Sequence, residues 1–212
     1  MATESGEATD QRRIQVLPYN PAWVTQFQQE AQRIAQALGS APVENAQRSP
    51  ESKGICLLIH HVGSTSVPGL AAKPIIDILP EVTDIAAVDR RTPAMQSLGY
   101  EAMGEYGLPG RRYFRTLDGL THLMHVHTYQ TGNPEITRHL AFRDYLIAHP
   151  QAASEYQALK LELAQRFPHD SQAYQDGKHG WIQAAEKRAL AFYKSFKGEN
   201  AALSPQSNGP AV

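Results

Sequence analysis

The stretch His61 to Ile78, HVGSTSVPGLAAKPIIDI, decides how this chain is read. An apolar run, Ile55-Cys56-Leu57-Leu58-Ile59, leads into it, and a second, Ile75-Ile76-Asp77-Ile78-Leu79, leads out. Branched and apolar runs of this length, bounded by glycine, serine and proline, predict two strands, Ile55 to Val62 and Pro74 to Val82. Between them Gly63-Ser64-Thr65-Ser66 predicts a tight turn. Its backbone N–H groups and hydroxyls can cradle phosphate oxygens, and Lys73 can add charge. Strand alternation places Ile75, Asp77 and Leu79 on one face and Ile76 and Ile78 on the other. A carboxylate in such company must be paired, hydrated or metal-bound, so Asp77 is the leading candidate for function.

Working outward, Leu123 to Tyr129 and Arg111 to Leu117 read as further strands, with a helix from Ile85 to Leu98 closed by Gly99. Upstream, Pro21 followed by Trp23, Phe27, Ile34 and Leu38 has helical spacing and ends at Gly39-Ser40. Residues 41–54 carry no period and read as a loop. After Gly132-Asn133 the apolar spacing is helical throughout, broken at His149-Pro150 and Phe167-Pro168. Strands first and helices later predict an α+β fold: a small mixed sheet flanked by an N-terminal helix and covered by C-terminal helices. The ordered domain is expected over residues 14–197. The polar termini, 1–13 and 198–212, are expected to be disordered.

At 212 residues, with 42% hydrophobic and 19% charged, the chain suits one globular domain. A net charge of −1 gives no global attraction to nucleic acid or anionic lipid, so any polyanion contact must be local. Cys56, the only cysteine, excludes an intrachain disulfide. It reads as a buried, inert thiol, and no disulfide-linked partner is expected. The N-terminus lacks the apolar core of a signal peptide and no apolar run reaches membrane-spanning length, so the expected location is the cytoplasm, with no membrane partner.

A second feature joins Asp77. In His122-Leu123-Met124-His125-Val126-His127, alternation puts His125 and His127 on one face. Two imidazoles and one carboxylate make a ligand set for a divalent metal, and the same trio can do acid–base work. Against this stand simpler readings: a turn that only connects strands, an Asp77 salt-bridged to Arg111 or Arg112, and histidines satisfied in the core. Of Arg111 and Arg112, one must face the site side and the other away. His60, His61 and His122 sit near strand ends and have weaker claims, while His139, His149, His169 and His179 read as surface residues.

Several separated motifs agree in order with one family. HVGSTSVPGLAAKPIIDI, Pro18-Tyr19-Asn20-Pro21-Ala22-Trp23, Pro109-Gly110-Arg111-Arg112-Tyr113-Phe114, His125-Val126-His127 and Phe142-Arg143-Asp144-Tyr145-Leu146 resemble the GrpB family, from about Val16 to Tyr193. That resemblance implies a fold similar to the nucleotidyltransferase superfamily, where a Gly-Ser turn precedes a strand whose two carboxylates hold divalent metal. It implies a phosphate-bearing ligand, of nucleotide or coenzyme type, bound by Gly63, Ser64, Thr65, Ser66, Lys73, Arg111, Arg112, Arg143 and Lys178. Asp77, His125 and His127 would be the catalytic and metal-ligating residues.

The pattern departs from that superfamily in one place. Two carboxylates separated by one residue are needed to clamp metal on a triphosphate, but two places after Asp77 stands Leu79. Glu81 has the right parity yet lies roughly 13 Å along the strand from Asp77. The expected protein is therefore a transferase-like ligand binder with an incomplete two-metal site and weak use of Mg²⁺. Two alternatives are an aminoacyl or acyl transfer drawing on tRNA, since some fungal proteins similar to the family look like tRNA-dependent cyclodipeptide synthases, and a catalytically silent binding module.

Overall fold

A computed structural model describes residues 13–39, 55–116 and 123–202, with side chains to residue 195. The expectations for residues 1–12, the loop at 41–54, Leu117, His122 and the tail beyond residue 202 fall outside this range. Five strands form one mixed sheet: β1 (Cys56–Val62), β2 (Ile75–Val82), β3 (Tyr100–Ala102), β4 (Arg111–Thr116) and β5 (Leu123–Gln130), ordered β1-β2-β5-β4-β3. Only β2 and β5 run parallel; the other pairs are antiparallel. The helices are α1 (Ala22–Ala37), α2 (Ile85–Ser97), α3 (Pro134–Ala148), α4 (Pro150–Arg166) and α5 (Ser171–Ala202). The class is α+β, as the order of apolar periods predicts. Among the described residues, no helix is long and apolar enough to cross a membrane.

Local chemistry explains most boundaries. Asp84 caps α2 by accepting from the Ala86 N–H at 2.9 Å, and Asn133 caps α3 by accepting from Glu135 at the same distance. Pro134 and Pro150 open α3 and α4 at first-turn positions, where a missing N–H costs nothing. Strand β3, unforeseen, has three residues after Gly99, too few to show alternation. The last helix runs to Ala202, past the boundary expected at Lys197, because GENAA contains no residue beyond one glycine that opposes helix.

The sheet has two different faces. On one, Ile76, Ile78, Val82, Met124, Val126 and Phe114 pack against Trp23, Ile34 and Leu38 of α1 and Val88 and Met95 of α2. On the other, Val62, Leu79 and Tyr129 meet Ile136 of α3. The connection after β1 is held by the C-terminal helices through Val67 and Leu70, which pack with Tyr145, Leu146 and Tyr156. The segment before α1 is tied to the same connection: Leu17 exchanges backbone hydrogen bonds with Ala72 at 2.8 and 2.9 Å.

Leu79 is fully buried in the cluster with Val62, Tyr129 and Ile136. The position of the missing second carboxylate is thus a packing position. Leu79→Asp is expected to lose about 3 kcal/mol or more, because an unpaired carboxylate replaces an apolar contact. Urea denaturation checks this, and an unchanged midpoint would show that the site tolerates the charge.

Candidate functional site

Register sets the site. Asp77 on β2 lies opposite His125 on β5, and His127 lies opposite Tyr113 on β4, so all three polar side chains leave the same face. Asp77 Oδ1 is 3.6 Å from His125 Nδ1 and 3.3 Å from His127 Nε2. The candidate ligand atoms of the three residues lie within 4.8 Å of one another. Burial acts to raise the Asp77 pKa, but hydrogen bonds from His125 and His127 outweigh it and hold the carboxyl below the usual range. Asp77 pairs with the histidines rather than with Arg111 or Arg112. Gly63 makes this possible: its φ is 71°, and a Cβ there would stand 2.3 Å from Asp77 Oδ2.

Arg111 is the arginine that faces the site. Its Nε donates to the Glu105 carbonyl at 3.1 Å and its Nη2 to the Tyr106 carbonyl at 2.7 Å, with the guanidinium 4.9 Å from the Tyr113 ring centre. Its Nη1 lies 3.4 Å from His127 Nδ1. A guanidinium only donates, so Nδ1 accepts and the neutral His127 ring carries its proton on Nε2, donating to Asp77. Arg112, expected with the ligand-binding residues, turns to the opposite face and forms a bidentate pair with Asp89 of α2 at 2.6 and 2.9 Å. Arg143 donates to the His61 carbonyl at 3.0 Å and to Asp144 at 2.7 Å, bracing the end of β1. In the turn, Thr65 donates to the Ile75 carbonyl at 3.3 Å and Ser66 to the Gly63 carbonyl at 2.6 Å. Of the three hydroxyls, only Ser64 lines the cleft.

That cleft, about 210 Å³, is lined by Ser64, Lys73, Ile75, Asp77, His125, Lys160, Tyr174, Gln175 and Lys178. Lys160 of α4 is 2% exposed. It donates to the Ala71 carbonyl, lies 3.1 Å from Ser64 Oγ, and sits 4.6 Å from the Tyr156 ring centre. Among the described residues no carboxylate is within ion-pair reach of it. Burial, with a contribution from Lys178, pushes its pKa down to about 7. Lys178 is pushed down to about 8, mainly by burial and then by Lys73, with Asp77 opposing. Tyr174 carries both outer lysines, with Lys178 at 4.8 Å and Lys73 at 5.5 Å from its ring. The helices can converge this closely because Gly177 has no side chain: a Cβ there would stand 2.4 Å from Leu163 Cδ2 of α4.

The profile of the GrpB protein matches residues 13–188. The chain belongs to the GrpB family. It is 42% identical over 192 residues to the UPF0157 protein YqkA of Bacillus subtilis, covering 91% of this chain and 52% of that protein. The chain thus spans about half the length of that relative. It is similar to the crystal structure of conserved protein GrpB from Enterococcus faecalis, with a TM-score of 0.73 and 46% identity, covering 84% of this chain and 99% of that one. It is also 31% identical over 200 residues to the dephospho-CoA kinase of Mycolicibacterium paratuberculosis, covering 83% of this chain and 46% of that protein.

Two features of this GrpB-family site escaped the sequence reading. Lys160 was missed, although it falls four residues after Tyr156 and three before Leu163, on the buried stripe of α4. A lysine on an apolar stripe was the available signal. His139, read as a surface residue, is half-buried on α3: its Nδ1 lies 2.8 Å from the Glu135 carbonyl and its ring 5.6 Å from that of His127. Burial, with the Arg138 charge, lowers its pKa to about 4. His149, also expected at the surface, is half-buried and stacks on Tyr145 at 4.2 Å.

The donors Asp77, His125 and His127 suit zinc or another transition ion better than Mg²⁺, which prefers several oxygens. Arg111 sets a condition on that fit. To ligate through Nε2, His127 must carry its proton on Nδ1, where Arg111 now donates. Ligating histidines ordinarily face an acceptor at that nitrogen. Arg111→Gln, which offers an acceptor there, is therefore expected to tighten Zn²⁺ binding about tenfold. Chelator competition measures this; unchanged or weaker binding would remove Arg111 from control of the trio.

Proposed function

We propose that this protein binds a phosphate-bearing small molecule of nucleotide or coenzyme type in a nucleotidyltransferase-like cleft. The observation that carries the reading is the convergence of Lys73, Lys160 and Lys178, from three separate parts of the chain, on a cleft lined by one carboxylate, Asp77. Three lysines facing one carboxylate leave the cleft short of negative charge, which a bound anion supplies. At about 210 Å³ the cleft has room for a phosphate group but not for a whole nucleotide, so the rest of the ligand would lie outside it. The relative named as a dephospho-CoA kinase favours a coenzyme-like or nucleotide ligand over a simple anion. The tRNA alternative gains no support from the relatives.

Asp77, His125 and His127 are the residues that would hold a divalent ion, which would place positive charge on a phosphoryl oxygen. His125 and His127, oriented by Asp77, also stand ready for proton transfer to an acceptor group beside the phosphate. With Leu79 packed in the interior, Asp77 has no carboxylate partner two residues on, which argues against two-metal transfer using Mg²⁺.

Calorimetry with sulfate, ATP and dephospho-coenzyme A tests the proposal. Sulfate stays dianionic across the working range, so its pH dependence reports the protein. Lys160 and Lys178 lose their protons near 7 and 8 in the free cleft. Sulfate should therefore bind most tightly below pH 7 and weaken about tenfold or more by pH 9. Lys178→Ala should weaken it about tenfold at pH 6.5. The phosphate esters should bind more tightly than sulfate, and pyrophosphate release from ATP separates a transferase from a silent module. Absent or pH-independent anion binding would contradict the reading.

A further inference from the structure

We propose that Ser64 is a nucleophile and Lys160 its general base, forming an acyl-serine from an activated ester or thioester whose carrier bears the phosphate. The nature of the carrier rests on the phosphate-binding reading above; the Ser64–Lys160 pair does not.

The pair stands on geometry. Ser64 directly follows Gly63, whose φ of 71° turns the chain sharply at the end of β1 into a single short helical turn. A strand-to-turn corner of this kind presents a serine hydroxyl outward into a cleft. The other two hydroxyls of the turn are committed to the Ile75 and Gly63 carbonyls. Ser64 is half-buried and lines the cleft, with its Oγ 3.1 Å from Lys160 Nζ and a further hydrogen bond to the Tyr156 side chain. Lys160 is almost wholly buried, and its remaining polar partner is the Ala71 carbonyl, which can only accept. A neutral amine there satisfies Ala71 with one N–H and turns its lone pair to the Ser64 hydroxyl. Serine–lysine pairs with no carboxylate on the lysine are an established variant of the serine nucleophile.

The chemistry balances within these groups. Ser64 Oγ bonds to the acyl carbon while its proton passes to the Lys160 amine. The bond from that carbon to the carrier's oxygen or sulfur then breaks, and the proton passes from Lys160 to the departing group. A second nucleophile, water or an amine, gives a proton to Lys160 as it attacks the acyl carbon. Oγ leaves and recovers the proton, which frees Ser64 for another cycle. Lys73 and Lys178 hold the carrier's phosphate at the rim of the same cleft.

The bland reading of Lys160 is a clamp: with Gln157, whose Oε1 accepts from the Ala71 N–H at 2.7 Å, it fixes both polar groups of Ala71. The two readings separate in a labelling experiment on the full chain with p-nitrophenyl acetate, followed by intact mass and peptide mapping. The proposal expects one acetyl group on Ser64, absent in Ser64→Ala. In Lys160→Met, shown folded by circular dichroism, labelling should slow about a hundredfold or more. The groups facing Lys160 are Tyr156 on its own helix, Tyr174 and Lys178 on α5, and Lys73 and Asp77 across the cleft. The labelling rate should rise to a plateau through about pH 7, and Lys178→Met should move that midpoint upward by removing a like charge. A clamp would produce neither effect. If Lys160→Met does not fold, the wild-type midpoint and its response to Lys178→Met decide. No adduct on Ser64, an undiminished rate in folded Lys160→Met, or a flat pH profile overturns the proposal. Sulfate binding without an adduct overturns the nucleophile alone, whereas an adduct without sulfate binding overturns the phosphate site alone.

Discussion

An ammonium group taken out of water must find compensation, and among the described residues Lys160 finds a carbonyl, a hydroxyl and the face of a ring. The cost of that burial is several kcal/mol for a lone ion, relieved here by a lowered pKa and by an open cleft through which an anion can enter. The neighbouring architecture sustains the arrangement. Gly177 brings α5 against α4, Tyr174 seats Lys178 and Lys73, and Gln157 and Lys160 fix Ala71 on the connection that follows the Gly63 turn. The proposed anion site rests on that balance of one carboxylate against three lysines.

The sheet side of the cleft works by the opposite device. Asp77 is a carboxylate pressed against a glycine, and its oxygens reach His125 and His127 because β2 and β5 run parallel in the register that places Asp77 beside His125. The family resemblance brings to mind two carboxylates at this point, but Leu79 belongs to the apolar cluster with Val62, Tyr129 and Ile136. The histidines and Arg111 occupy the remaining polar space. One negative group among several positive ones attracts anions, whereas two would favour hard cations.

Much of this was legible in the chain. Strand alternation paired Asp77 with the HxH motif because a period of two is insensitive to the exact strand ends, which shifted by a residue or so. That one of Arg111 and Arg112 faces inward followed from the same parity, although only the structure shows that it is Arg111 and that Asp89 on α2 claims Arg112. Lys160 was hidden for a physical reason. Its partners, Ser64 and Ala71, are nearly a hundred residues away, and a lysine inside a helix ordinarily reads as solvated. His139, in a different element from His127, was concealed because helical spacing alone could not place it over that ring. The hydroxyls of Thr65 and Ser66 looked like phosphate donors because their bonds to nearby carbonyls depend on turn geometry that composition does not specify.

The measurement that reaches the centre of this account is an NMR titration of the lysine side-chain nitrogens, assigned by substitution of Lys160 and Lys178 and run with and without sulfate. The account predicts that, without sulfate, these two groups titrate near 7 and 8 and that sulfate moves both upward by favouring their charged forms. Titration of both near the ordinary lysine value, about 10.4, with no response to sulfate would contradict it.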